Sequence, residues 1–344
     1  LDLTNAAKDA IDAIIQQIPV DRRLFVDLLT RCERWHPLTN ATYISMGAYP
    51  LEDHKLIHRM LGLRKLIAFD YDPEIVKRQV FNRPIDTCKC VCHSSGDLVA
   101  NLDAVLADAG YADASNLIVW LDYTSPAELG EQIREFVTLL DKLKLGDVVR
   151  ITVNANASSL FSPKPEKGVP TMPGEEVRKV RFEKLSERIG DYLPADAEAE
   201  MMTDELLPAV LSRAVGAAAL KAFPTSGANT FAPLSIVRYA DGQQMLSLTG
   251  IVVPRDQEAE MRDKLDLPSW RFASRDWSEV RLLTVPDLTI RERLFLERAI
   301  GTTALPDIKK HLGFDFGALE VGEAFLNDYE HYYRFYPNLL ASEI

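Results

Sequence analysis

The sequence predicts an α/β fold built on a doubly wound, mostly parallel sheet that ends in an antiparallel hairpin. Two observations carry this. Between residues 41 and 153 five short apolar runs alternate with amphipathic stretches, and further on two β-rich runs meet at Asp241-Gly242. Strands covered on both faces by crossover helices read as continuous apolar runs, so the alternation implies parallel pairing. An Asp-Gly pair between β-rich runs implies a type I′ hairpin, because that turn needs positive φ at both central residues.

The elements follow in order. Residues 1–36 are expected to form two amphipathic helices, at about 4–18 and 20–34, with Pro19 between them. The core, 37–154, holds the runs ATYISM (41–46), RKLIAF (64–69), TCKCVC (87–92), NLIVWL (116–121) and DVVRITV (147–153). Helix-like stretches lie between them at about 51–61, 73–80, 97–109 and 126–144. From 155 to 232 the rhythm breaks. The Pro- and Gly-rich FSPKPEKGVPTMPGEE is followed by a charged helix at about 175–190 and an Ala/Leu-rich one at about 204–222. A long structured insertion at a sheet edge reads as a lid or a substrate-recognition element. The hairpin completes the sheet over 233–256, and 257–344 is a helical module with three helices over 287–336.

Composition narrows the function. The 344 residues are 47% hydrophobic and 26% charged, which is ordinary for a globular protein of one large or two modest domains. No apolar run approaches the roughly 18 residues that cross a bilayer. The N-terminal LDLTNAAKDAIDAIIQQ has acids where a secretory signal needs a basic start. With 39 Lys+Arg against 51 Asp+Glu the net charge is −12, which argues against nucleic acid as a general partner. The stretch Ser162–Arg188, with seven Lys/Arg and five Asp/Glu, is the least acidic. Four cysteines make no disulfide framework in a chain this long, so the expected compartment is the reducing cytoplasm.

In an open α/β sheet, ligands bind outside the carboxyl ends of the strands, where strand order reverses. The first run ends in Ser45-Met46-Gly47-Ala48-Tyr49-Pro50, with Glu52 and Asp53 opening the next helix. One glycine lets the backbone approach a ligand, whereas a dinucleotide fingerprint has three. The second run ends in Asp70-Tyr71-Asp72-Pro73. A carboxylate here, 23 residues after Gly47, can accept hydrogen bonds from both ribose hydroxyls, while Asp72 reads as a helix N-cap with Pro73 at N1. The third leads into Ser94-Ser95-Gly96-Asp97, where Asp97 either accepts from an adenine amino group or caps a helix. The fourth ends in Asp122-Tyr123-Thr124-Ser125-Pro126, polar groups at the expected reaction centre or a plain turn into a helix.

Two constellations look like metal ligands and are read otherwise. Cys88, Cys90 and Cys92, beside His93, share one face of a strand. Ligands two apart on a strand are spread by about 7 Å and converge poorly, and cysteine is a common core residue. His54 and His58 share a helix face, but Lys55 stands where a zinc-protease motif has Glu. No metal is expected.

The pattern as a whole resembles the class I S-adenosylmethionine-dependent methyltransferase family, over about residues 40–153 and 234–253. The resemblance rests on TYISMGAYP at the glycine-loop position, LIAFDYDPEIV after strand two, SSGDL after strand three and VWLDYTSP after strand four. It implies a seven-stranded Rossmann-like sheet, parallel except for one strand of the hairpin. It also implies S-adenosylmethionine as cofactor. Ser45, Gly47 and Ala48 then face its methionine part, Asp70 with Tyr71 the ribose, Gly96 and Asp97 the adenine, and Asp122 with Tyr123 the methyl group. The family has an acid in strand one before a Gly-x-Gly loop. Here Ser45 takes the acid's place, Gly47 is the single glycine, and Glu52 and Asp53 are the carboxylates that could substitute.

The activity implied is methyl transfer to an O or N acceptor, small or macromolecular, with Asp122 or Tyr123 orienting it and the insertion covering it. The alternative is a catalytically silent methyltransferase-like scaffold subunit, suggested by the single glycine and the helices at both ends. Those terminal helices are also the expected homo- or hetero-oligomer surfaces. From Asp287 onward six Lys/Arg face ten Asp/Glu, so a DNA-reading role for ALPDIKKHLGFD is not expected. Tyr329, Tyr332, Tyr333 and Tyr336 instead form one aromatic helix face, for packing on the sheet domain or a subunit interface.

Overall fold

The computed structural model describes residues 5–164, 172–241, 243–283, 288–299, 302–314, 326, 329, 331 and 333–336. The elements are α1 (Asn5–Cys32), β1 (Thr42–Ser45), α2 (Glu52–Leu61), β2 (Lys65–Asp70), α3 (Pro73–Asn82), β3 (Cys88–Cys92), α4 (Ser95–Ala100) and α5 (Leu102–Ala109). Then come β4 (Leu117–Asp122), α6 (Leu129–Leu140), β5 (Val148–Asn154), α7 (Gly174–Ile189), α8 (Leu207–Ala222), β6 (Asn229–Asp241) and β7 (Gln243–Pro254). Last are α9 (Glu258–Lys264), β8 (Arg281–Leu282), α10 (Ile290–Ala299) and α11 (Leu305–Leu312). Two compact units divide the chain: residues 28–238 with 243–281, and residues 1–27 with 239–242 and 282–344. Among the described residues no helix is long and apolar enough to cross a membrane.

The sheet order is β3-β2-β1-β4-β5-β7-β6-β8. Strand β1 pairs in parallel with β2 and with β4, β2 with β3, and β4 with β5, whereas β7 runs antiparallel to β5. The hairpin at Asp241 joins β6 to β7, so β6 again points the way of β5. The expected doubly wound sheet with its antiparallel hairpin is present. It has eight strands rather than seven, because the two-residue β8 adds a rung at the edge.

Both faces of the sheet are covered. Ile44, Ile67, Phe69, Val119, Leu121, Val149 and Ile151 meet Leu98, Val105, Ile133, Phe136, Leu139 and Leu140 from α4, α5 and α6. On α6 the buried Leu129, Ile133, Phe136 and Leu140 recur at helical spacing, which is what turns that stripe inward. Trp120, Arg150, Thr152, Ser247 and Thr249 lie on alternate positions of β4, β5 and β7, facing the other way. There the Trp120 indole N–H donates to Thr152 Oγ1 (3.0 Å), Thr152 bonds Ser247 (2.8 Å), and the Arg150 guanidinium sits 4.8 Å from the Trp120 ring.

Three expectations about helices are corrected. The two N-terminal helices are one, α1, which continues through Pro19. Proline removes a single backbone donor, and the burial of Val20, Leu24, Phe25, Leu28 and Leu29 outweighs that loss. The helix expected over 97–109 is broken at Asn101, whose side chain donates to the Asp97 carbonyl (2.9 Å) and whose backbone leaves the helical region (φ −109°, ψ 23°). The 155–232 stretch is also more than an appended insertion. Its α8 buries Leu207, Val210, Leu211, Ala214, Val215 and Ala218 in the same core as β5 and β7, as a crossover helix does. Next to it α7 lies so close to α6 that a side chain at Gly130 would collide with the Arg188 carbonyl, and Arg188 donates to the Pro126 carbonyl (3.0 Å).

In the smaller unit, Tyr329 lies 6.1 Å from Tyr333 and 5.8 Å from Tyr336, with the Arg293 guanidinium 4.8 Å from the Tyr336 ring. Arg23 donates to the Tyr336 carbonyl (2.6 Å) and Arg334 to Asp27 (3.3 Å). The expected aromatic face therefore packs inside its own unit, against Arg293 of α10 and Arg23 of α1; Tyr332 lies outside the described residues.

Phe136 is fully buried in the larger unit, its ring edge-on to Phe231 at 5.8 Å. Phe136→Ala removes a ring the surroundings cannot replace and is expected to cost about 3–5 kcal/mol, read as a lower urea midpoint.

Candidate active site

Strand order reverses between β1, whose successors run outward through β2 to β3, and β4, whose successor β5 lies on the other side. The carboxyl ends of β1, β2, β3 and β4 therefore frame one crevice, the position where open α/β sheets bind ligands.

The turn leaving β1 is unusual. Gly47, Ala48 and Leu51 all have positive φ, at 64°, 41° and 55°. For Ala48 and Leu51 that is a strained backbone which persists only because neighbours fix it. Gly47 has a second reason to be glycine. A Cβ there would lie 2.7 Å from His54 Cε1, 2.8 Å from His54 Nδ1 and 2.8 Å from Leu51 Cδ2. From α3, the fully buried Gln79 donates to the carbonyls of Met46 (3.0 Å) and Ala48 (3.2 Å). Asn82 donates to the Tyr49 carbonyl (3.0 Å), and the Arg78 guanidinium stacks 3.4 Å from the Tyr49 ring. The Gln79 Oε1 is buried and has no hydrogen-bond partner among the described residues.

Beneath the turn lies a buried acid–imidazole pair. His54 Nδ1 is 3.1 Å from Asp53 Oδ1, and His54 Nε2 is 3.1 Å from the Ile67 carbonyl on β2. The Tyr43 hydroxyl donates to Asp53 Oδ2 (2.7 Å), and Ser45 also bonds the carboxylate. Burial opposes ionisation of Asp53, but the His54 charge and these three donors outweigh it and hold the carboxyl well below the usual range. Burial likewise works against a charged His54, yet the Asp53 charge and bond, with the Ile67 carbonyl, raise it. Asp53 thus reaches the end of β1 from α2, where Ser45 stands in place of an acid. Its neighbour Glu52 pairs instead with Lys55 at the surface (3.0 Å).

The other expected residues lie where the strands end. Asp70 accepts from the Asp72 backbone N–H through Oδ1 (2.8 Å), which orients the carboxylate in the half-buried mouth. Asp72 caps α3 through the Glu74 N–H (2.8 Å), and Tyr71 is 79% exposed beside them. Ser94 caps α4, and the Asp97 carboxylate accepts from the Ser94 hydroxyl (2.7 Å), so Asp97 closes that cap. Gly96 leaves room for Glu135, whose carboxylate oxygen would be 3.0 Å from a Cβ. Glu135 in turn accepts from the Tyr123 hydroxyl (2.5 Å). Burial, then the Glu135 charge and bond, raise the Tyr123 phenol well above its ordinary value, so it stays protonated and faces α6. Asp122 remains half-exposed at the end of β4, beside Thr152 of β5.

The structure therefore brings Ser45, Gly47, Ala48, Asp70, Tyr71, Gly96, Asp97, Asp122 and Tyr123 to one edge of the sheet. Gln79, Glu135 and the pairing of Asp53 with His54 went unread in the sequence. Among the described residues no three His, Cys, Asp or Glu side chains converge as a metal would need.

The chain belongs to the family described as "Putative O-methyltransferase", whose model matches residues 17–344. That description names methyl transfer to oxygen as the family's chemistry. Two solved structures overlap it loosely. A fibrillarin/Nop5p complex shares 10% identity over 68% of this chain and 83% of that one, with a TM-score of 0.32. A mutant 16S rRNA (adenine(1408)-N(1))-methyltransferase from Catenulisporales acidiphilia, solved with SAM, shares 13% over 67% and 93%, with a TM-score of 0.29. The DNA-directed RNA polymerase subunit alpha of Helicobacter hepaticus is 24% identical over 159 residues, and the chain spans less than half of that relative, 44%.

The buried pair has a pH signature. His54, raised on folding, contributes stability that is complete below its unfolded value near about 6.5 and is lost as pH rises through the folded one. Asp53, depressed, contributes above its unfolded value near about 3.9 and loses it as pH falls. The stability gap between the wild type and His54→Gln should therefore be widest between about pH 4 and 6.5 and narrow above that, measured by urea unfolding across pH.

Proposed function

We propose that this chain is an S-adenosylmethionine-dependent methyltransferase acting on an oxygen acceptor. The observation that carries the reading is the reversal of strand order between β1 and β4, which gathers the Gly47 turn, Asp70 and Asp122 at one crevice. Family membership supports the same chemistry.

The residues present fit the methyl donor. Asp70, half-exposed at the end of β2 and oriented by the Asp72 N–H, is a carboxylate able to accept from both ribose hydroxyls, and Asp122 is half-exposed at the end of β4. Ser45, Gly47 and Ala48 would hold the methionyl end, Asp70 the ribose hydroxyls, and the Gly96–Asp97 helix start the adenine, with Tyr71 flanking the mouth. When bound, the donor supplies an electrophilic methyl group on a sulfonium. What this chain supplies is position. Asp122 orients the acceptor hydroxyl by accepting its hydrogen bond. Tyr123, protonated and tied to Glu135, holds the Asp122 segment and the start of α4 in register rather than taking a proton.

Titration calorimetry of the full chain with S-adenosylmethionine should give saturable binding, weakened about tenfold or more by Asp70→Ala, since the lost bonds carry charge. Asp122→Ala should bind the donor as the wild type does while losing transfer of labelled methyl groups to acceptors in an extract. No heat from the wild type, at concentrations that reveal high-micromolar binding, refutes this reading and favours the silent scaffold.

A further inference from the structure

We infer that Asp53 and His54 are positioning residues for the methyl donor, a buried carboxylate–imidazolium pair that fixes the Met46–Leu51 turn in the shape the donor meets. This deepens the proposed function and rests on it. Neither residue needs to touch the donor.

The charge state follows from the neighbours. Both ring nitrogens of His54 face groups that only accept, the Asp53 carboxylate and the Ile67 carbonyl, each at 3.1 Å. A neutral ring has one N–H and would set a lone pair against an oxygen lone pair in a fully buried site, so both nitrogens carry hydrogen. Asp53 balances that charge and spends its second oxygen on Tyr43 (2.7 Å). The other ionisable groups facing the ring are Tyr43 of β1, edge-on with its centroid at 5.0 Å, and Cys90 of β3.

The geometry assigns the purpose. The pair ties α2 to β1 through Tyr43 and Ser45, and to β2 through Ile67, immediately below the turn. Gly47 rides on the imidazole with no room for a Cβ, and Leu51 enters α2 in the left-handed region without a side-chain cap. With Gln79 holding the Met46 and Ala48 carbonyls from α3, the imidazole is the floor of a turn whose own dihedrals are unfavourable. A smaller or uncharged floor lets the turn relax toward ordinary dihedrals and away from the donor.

Two readouts on the full chain test this. Nitrogen-15 NMR should show His54 with both nitrogens protonated at pH 7, with or without donor; a neutral tautomer there overturns the inference. In calorimetry, folded His54→Gln and Asp53→Asn should bind S-adenosylmethionine on the order of tenfold to a hundredfold more weakly, the scale of a small misplacement. Should either fail to fold, Tyr43→Phe removes one donor to Asp53 and should weaken binding severalfold. Unchanged affinity in a folded variant, with a wild type that binds, overturns the positioning role alone. A wild type that binds no donor overturns the methyltransferase reading and the positioning role with it, while the NMR signature of the pair stands or falls separately.

Discussion

The candidate site depends on the placement of one short strand. Strand β1 has four residues, all buried, and is held on both sides in parallel register, Ser45 opposite Ala68 of β2 and Trp120 of β4. Successive side chains on a strand face opposite ways, so a slip of one residue would exchange the two faces. Tyr43 and Ser45 would then leave Asp53 and enter the apolar layer that Ile44 now shares with Phe69 and Leu121. That exchange buries hydroxyls without partners and strands a carboxylate, which is why the register is strongly specified.

From that strand the site is assembled by polar groups reaching across elements. A buried ion pair is weak evidence for net stability, because desolvation can consume the Coulombic gain, although removing one partner is costly. The arrangement at Asp53 and His54 is better understood as specifying a shape. It satisfies every polar atom of the pair while holding a turn with three positive-φ residues. Gln79 does the same from α3. The two supports come from the helices that follow β1 and β2, so the turn is gripped by both of the crossovers that flank it.

Much of the fold was legible because its signals are local. The run RKLIAF became Lys65–Asp70, β6 and β7 follow each other as a hairpin after Asp241, and Asp72 caps α3 with Pro73 at N1, whereas the cap read at Asp97 is made by Ser94. What escaped depends on distant partners. Nothing near Pro19 tells that burial further along will keep α1 continuous. Within DVVRITV, Arg150 and Thr152 have partners, Thr249 and Ser247, on a strand almost a hundred residues away. The Ala/Leu-rich helix read at about 204–222 is α8, and a helix of Ala, Leu and Val nearly all round belongs in a core. At the site, the strand ends gave Asp70 and Asp122 their places, but only tertiary contact shows that Tyr123 is spent on Glu135 and that Asp53 is bonded by Tyr43, Ser45 and His54.

For the proposed methyl transfer, the commitment of Tyr123 limits what that residue could do. A buried phenol bonded to a carboxylate, and held well above its ordinary value, cannot accept a proton near neutrality. Asp122 can accept a hydrogen bond, but a carboxylate is far too weak a base to deprotonate an alkyl alcohol outright. Methyl transfer from a sulfonium needs little help with bond breaking, since the leaving group is already cationic and departs neutral. The demand falls on alignment of the acceptor oxygen, which fixed geometry can supply in large measure. The rigid features of this edge, a pinned turn, a capped α4 and a phenol locked to α6, are those such a mechanism needs.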